Sequence, residues 1–200
     1  MVGGVKRLIV GITGATGVVY GVRLLERLRD AGVETHLVMS RWGARTLLHE
    51  TSYSRGQVEA LAAEVYAPND MGAAIASGSF PVDGMVIAPC SVRTLGAIAH
   101  GCGDGLVHRA ADVTLKERRP LLLAIREAPF SAIHLENMLT LARMGAIIMP
   151  PIPAFYTHPR TLDDVVDHTV ARMLDQFGIN VPGAARWVGE MAVGQAQEDD

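Results

Sequence analysis

The chain has 200 residues, of which 49% are hydrophobic, 20% charged and 5% aromatic. That length bounds one domain, the apolar share excludes a disordered chain, and a net charge of −3 excludes the basic footprint of a nucleic-acid binder. A mean hydropathy of +0.23 reads either as a well-filled core or as apolar surface buried between copies, and a homo-oligomer is the expectation.

Residues 7–12 are a short, nearly continuous apolar run, the mark of a buried strand. A glycine-rich turn over 13–17 leads into a helix over 18–31, which Gly32 stops. Residues 34–39 read as a second strand, and Ser40 caps a helix to about Glu50. A further helix is expected from Ser54 to about Glu64, then a small, polar loop or short helix over 72–78. A turn at Asp83-Gly84 opens a strand to Ala88, and Pro89-Cys90-Ser91 opens a helix over 92–100. Another helix spans 104–116, a strand 121–125, a helix 131–144 and a last strand 146–149. Pro150, Pro151 and Pro153 impose an extended segment before Thr161 caps a helix to about Gln176. The tail after Gly178 has no strong pattern, and residues 195–200 are expected to fray.

Five mostly apolar strands alternating with helices predict an α/β protein, with one doubly wound parallel sheet in a single domain. Two cysteines, Cys90 and Cys102, suit reduced thiols in a cytoplasmic protein. The N-terminus does not read as a signal peptide. Apolar runs fall far short of the roughly 20 residues of a membrane helix, so no span is expected.

Ligands of such sheets sit beyond the carboxyl ends of the strands. Attention therefore falls on residues 13–17, Ser40, residues 89–94, Arg126-Glu127 and residues 150–156. Gly11-x-x-Gly14-x-x-Gly17 joins strand to helix, where free N–H groups attract a phosphate and Thr13 and Thr16 add hydroxyls. The bland reading is a tight packing turn. Ser91 and Thr94 are either a plain helix cap or two hydroxyls for a polar ligand. Cys90 is a nucleophile or, more simply, a buried thiol. Arg109, Asp112 and Lys116 share one helical face, as a solvated ion-pair ladder or a cationic wall. Arg126-Glu127 ends a buried strand as a structural ion pair or an active-site pair. Tyr156 either packs or offers a hydroxyl, and Arg172 either snorkels or binds. No Cys/His spacing of the zinc kind occurs, so no metal is expected.

One ordered set of motifs is far more specific than any of its parts. It comprises Gly11-Ile-Thr-Gly-Ala-Thr-Gly17 with Tyr20-Gly21, then Ala76-Ser-Gly-Ser79, then Pro89-Cys-Ser91 with Thr94. It continues through Arg109-Ala-Ala-Asp112, Leu115-Lys-Glu-Arg-Arg-Pro120, Arg126-Glu127, His134-Leu-Glu-Asn137 and Pro153-Ala-Phe-Tyr156. From about residue 7 to Trp187 the chain resembles the UbiX/Pad1 flavin prenyltransferases.

The resemblance implies a flavodoxin-like, Rossmann-like fold binding FMN, usually in a homododecamer built from trimers. It implies a metal-independent transfer of a dimethylallyl group from dimethylallyl monophosphate to N5 and C6 of reduced FMN. The product, prenylated FMN, serves UbiD-type decarboxylases, including those of ubiquinone biosynthesis. Carried over by position, the FMN contacts are Gly14, Ala15, Thr16, Ser40, Ser91, Val92, Arg93, Thr94 and Arg126. The donor contacts are Arg109, Lys116, Tyr156 and Arg172, some from a neighbouring subunit, with Trp187 closing the pocket. Glu50 and Glu127 match acids that move protons and assist phosphate departure, so the catalytic set is Thr16, Glu50, Lys116, Glu127 and Tyr156. Residues 1–178 are then the FMN-binding domain and 179–200 a tail that closes the site. Thr16 replaces the family's usual serine, keeping the hydroxyl and adding a methyl near N5.

The main alternative is a flavin-dependent cysteine decarboxylase of the same fold. Those enzymes use a Pro-Ala-Ser-Ala-Asn-Thr type motif and a histidine. This chain has Arg93 at the asparagine's place, and His49 is the nearest histidine to offer. A non-catalytic flavin carrier would have no need of Lys116, Glu127 and Tyr156.

Overall fold

The computed structural model describes residues 6–187 and Gly189, so the expected fraying of 195–200 and the reading of the extreme N-terminus lie outside the described residues. In chain order the elements are β1 Arg7–Ile12, α1 Val18–Asp30, β2 Glu34–Met39, α2 Arg41–Glu50, α3 Arg55–Glu59 and β3 Glu64–Tyr66. There follow β4 Gly84–Cys90, α4 Val92–His100, α5 Leu106–Lys116, β5 Leu121–Ile125, α6 Ala132–Arg143, β6 Ile147–Ile148 and α7 Leu162–Asp175.

The strands form one six-stranded sheet in the order β3-β2-β1-β4-β5-β6, with every pairing parallel. This is the doubly wound arrangement, and the winding reverses between β1 and β4. Successive strand residues face opposite sides, so each strand feeds two cores. Leu8, Val10, Ile12, Val86 and Leu122 pack under α1 and α7 with Val22, Leu25, Val170 and Leu174. Ile9, Met85, Ile87, Leu121 and Leu123 pack under α5 with Leu106 and Ala110. At about 1.5–3 kcal/mol for each large side chain removed from water, these two layers supply the main drive to fold.

Several expectations are corrected, among them the strand expected to end at Ala88, which runs to Cys90. There are six strands, not five, and the helix expected to reach Glu64 ends at Glu59. Ser54 caps α3 reciprocally with Gln57, and three of the residues after Ala60 then pair as β3 beside β2. Glu64 and Val65 are exposed on that edge, so β3 carries no apolar run to announce it. β6 is also shorter than its 146–149 forecast, being confined between Gly145 at φ +96 and Pro150, which lacks an N–H. Among the described residues no helix is long and apolar enough to cross a membrane.

Candidate active site

Where the winding reverses, Thr13 ties the ends of β1 and β4 together. Its hydroxyl donates to the Pro89 carbonyl at 2.8 Å and accepts from the Ser91 N–H at 2.9 Å. Thr13 is buried, so it holds the crevice and is not one of its donors. Gly14 and Thr16, in the same turn, are exposed. A side chain on Gly14 would put its Cβ 2.3 Å from the Cβ of Trp42, so glycine there lets α2 close on the loop.

The first turn of α1 is not an open phosphate cradle. Gly17, at φ +89, caps the helix without a side chain, and Glu50 supplies the missing acceptor. One Glu50 carboxylate oxygen accepts from the Gly17 N–H at 2.8 Å and the Val18 N–H at 3.2 Å. A carboxylate at a helix N-terminus also meets its partial positive charge. The loop is thereby fixed, and Thr16 stands just before the fixed pair.

The starts of α2 and α4 are better placed to receive an anion. Ser40 accepts from the Gly43 N–H at 3.0 Å and Ser91 from the Thr94 N–H at 3.2 Å. Ser91 also donates to the Thr94 hydroxyl at 3.1 Å. Both serines therefore cap helices, while the first-turn N–H groups of Arg41, Trp42, Val92 and Arg93 are of the kind no helix satisfies internally. Two such turns, the Ser40 hydroxyl and the exposed Arg126 make a donor set that fits the phosphate and ribityl chain of FMN. Ala15 is buried behind the exposed Gly14, so the loop offers mainly backbone to a planar ring.

Arg126 and Glu127 end β5 beside this crevice. They are not a structural ion pair: Glu127 accepts from the Ala128 N–H at 3.1 Å, and the Arg126 N–H bonds the Cys90 carbonyl. Arg126 acts electrostatically on Tyr20, whose phenol is pushed up mainly by burial and pulled back by that guanidinium. Tyr20, half-buried on α1, thus lies within electrostatic reach of Arg126. Cys90 is fully buried, and desolvation pushes its thiol up to about 12, so it is a core residue and not a nucleophile.

The residues expected to hold the donor phosphate lie elsewhere in the protomer. Strand carboxyl ends share one edge of a parallel sheet, whereas α5 ends just before β5 begins, at the opposite edge. Lys116 is therefore across the sheet from Thr16, paired with Glu117. Arg109 donates to the Ala76 carbonyl at 3.1 Å and to Asp112 at 2.8 Å, which satisfies the ion-pair reading. Tyr156 lies in a 3-10 turn over Phe155–Thr157, with its hydroxyl 3.4 Å from His168 and its ring edge-on to His168 and Trp187. Arg172 pairs with Asp175 at 2.6 Å, and Asp175 also binds Arg186. The loop over 13–17 and the starts of α2 and α4 thus share the carboxyl edge of the sheet, and Lys116 lies at the opposite edge. Among the described residues no group of three His, Cys, Asp or Glu side chains is placed to hold a metal.

The model of the Flavoprotein family matches residues 3–174. A probable UbiX-like flavin prenyltransferase of Bacillus subtilis is 57% identical over 94% of this chain and 92% of its own. A solved structure of AnUbiX (PadA1), in complex with FMN and dimethylallyl pyrophosphate, superposes with a TM-score of 0.93 at 49% identity over 94% of this chain and 100% of its own. The dodecameric FMN-dependent UbiX-like decarboxylase of Escherichia coli O157:H7 gives 0.90 at 58% identity over 92% and 100%. The FMN-dependent cysteine decarboxylase TvaF shares the fold alone, at 0.60 and 19% identity over 74% of this chain and 91% of its own.

Proposed function

The chain belongs to the flavoprotein family and, within it, to the UbiX-like flavin prenyltransferases, and from that membership we propose how its own residues carry out the reaction. It joins the dimethylallyl group of dimethylallyl monophosphate to reduced FMN. The C1–O bond to phosphate breaks and C1 bonds to flavin N5, which loses its proton; C2 of the allyl group then takes up a proton, which breaks the C2=C3 double bond, and C3 bonds to flavin C6, which loses its own proton as the new ring closes. Reduced FMN supplies the electron-rich N5 and C6. Everything else falls to positioning and charge.

The observation that carries this reading is the exposed Thr16 in a loop fixed by Glu50 and Thr13, with Arg126 and Glu127 across the crevice. Gly14, Ala15 and Thr16 give backbone and one hydroxyl to the flavin. Ser40, Ser91, Val92, Arg93 and Thr94 bring the two helix starts to its phosphate and ribityl chain, with Arg126 neutralising the charge. Glu127 hands a proton to the departing phosphate. Lys116, Arg109, Arg172 and Tyr156 meet the growing negative charge on that phosphate. Because Lys116 lies at the far edge of the sheet in one protomer, neighbouring subunits supply some of them in a homododecamer built from trimers. Trp187, at the start of the tail over 179–200, closes the donor pocket over Tyr156. The enzyme is cytoplasmic and metal-independent, and its product passes to a UbiD-type decarboxylase.

Phosphate release tests the proposal. Dimethylallyl monophosphate should lose inorganic phosphate only when reduced FMN is present, and Lys116→Ala should slow that release by at least a hundredfold. Release independent of flavin would mean a phosphatase and would overturn the reading.

A further inference from the structure

The backbone and Cβ of Trp42 belong to the site described so far, but its indole has no role in it yet. The residue occupies the first turn of α2, two residues after Ser40, and 59% of it is exposed. Large aromatic side chains are normally buried to a greater degree than this. Its position is nonetheless tightly fixed. The Gly14 Cα faces the Trp42 Cβ so closely that no side chain fits between them. The Arg45 guanidinium, one turn on, lies over the indole with its carbon 5.1 Å from the ring centre. The residue is thus held at its Cβ by the loop and at its ring by Arg45 while much of the indole stays open, next to the loop that carries the exposed Gly14 and Thr16.

We propose that Trp42 is an aromatic wall of the flavin site, taking the planar ring system of bound FMN against its open surface while Arg45 holds the indole in place. The inference rests on the flavin reading above and adds a binding residue to it. Three observations converge. Trp42 touches the loop that carries Thr16; it shares the first turn of α2 with Ser40 and the unsatisfied N–H groups; and it presents apolar area where a polar surface residue would serve solubility better. A braced indole loses little freedom on binding, so its contact is retained almost whole.

The test uses the intact protein and oxidised FMN. An indole in contact with a flavin quenches its emission by electron transfer, which phenylalanine does far less readily. Bound FMN should therefore be several-fold brighter in Trp42→Phe than in the wild type, with Kd changed by less than about threefold because a flat ring remains. Trp42→Ala should weaken FMN binding about tenfold. Equal emission from Trp42→Phe and the wild type would overturn the inference while leaving the flavin reading intact. So would a Trp42→Ala protein that keeps its FMN affinity but changes its oligomeric state, since Trp42 would then be a subunit contact. A wild-type protein that binds no FMN would overturn both readings.

Discussion

Glu50 joins two elements through one carboxylate, and its hydrogen bonds separate two roles. As the acceptor for Gly17 and Val18 it substitutes for an N-cap side chain that glycine cannot provide. Glu50→Ala should cost about 1 kcal/mol in urea unfolding. Glu50→Gln keeps an acceptor oxygen and should cost less. If Glu50 also moves protons, Glu50→Gln will lose turnover out of proportion to its loss of stability, and the comparison of the two variants resolves this. Glu34 is a second residue with a readable consequence. The Arg7 guanidinium, and then His36, hold its carboxyl down from 4.5 to about 2. A depressed carboxylate adds stability above its unfolded value and loses it as pH falls to its folded value. Both side chains of the Arg7–Glu34 pair are about a third exposed, so screening trims the benefit to about 1 kcal/mol. Glu34→Gln should be less stable than the wild type by that amount at neutral pH. The gap should close between about pH 4.5 and pH 2, as a series of urea melts would show. A gap that persists unchanged to the acid end would mean the pair contributes through packing.

Glycines fix how closely the elements approach. Gly21 lies on α1 where an added Cβ would stand 2.4 Å from the Ala88 carbonyl oxygen, so α1 sits on β4 only because that side chain is missing. Gly21→Ala should destabilise the fold by about 1–3 kcal/mol and pull α1 off the crevice, weakening FMN binding too. Apolar runs such as Leu121–Ile125 and caps such as Ser131 and Thr161 made most elements legible in the sequence. β3 was not legible, because an edge strand of Glu-Val-Tyr owes its pairing to β2 and not to its own pattern. The same limit applies at the site. Thr13, Ser40 and Ser91 were visible as hydroxyls at strand ends, but only the fold shows which are consumed in holding it. The bracing of Trp42 by Gly14 and Arg45 joins two separate elements, so no local signal in the sequence revealed it.

Across the whole molecule, Lys116 and the loop carrying Thr16 lie at opposite edges of the sheet, so the proposed reaction requires assembly to complete the active site. Exposed apolar side chains such as Ile133, Leu139, Met144, Ile152 and Phe155 are the surface such an assembly would cover. Lys116→Ala and Glu127→Gln proteins, each inactive alone, should recover activity when dissociated and reassembled together, because some pockets then combine two intact halves. No recovery in verified mixed oligomers would place both groups in one chain's pocket. The central claim is the covalent one, and mass spectrometry reads it directly. The protein is incubated without oxygen with reduced FMN and dimethylallyl monophosphate, and the released flavin is weighed. The account predicts a gain of one C5 prenyl unit in the wild type and none in Glu127→Gln. Tightly bound but unmodified FMN in the wild type would contradict it.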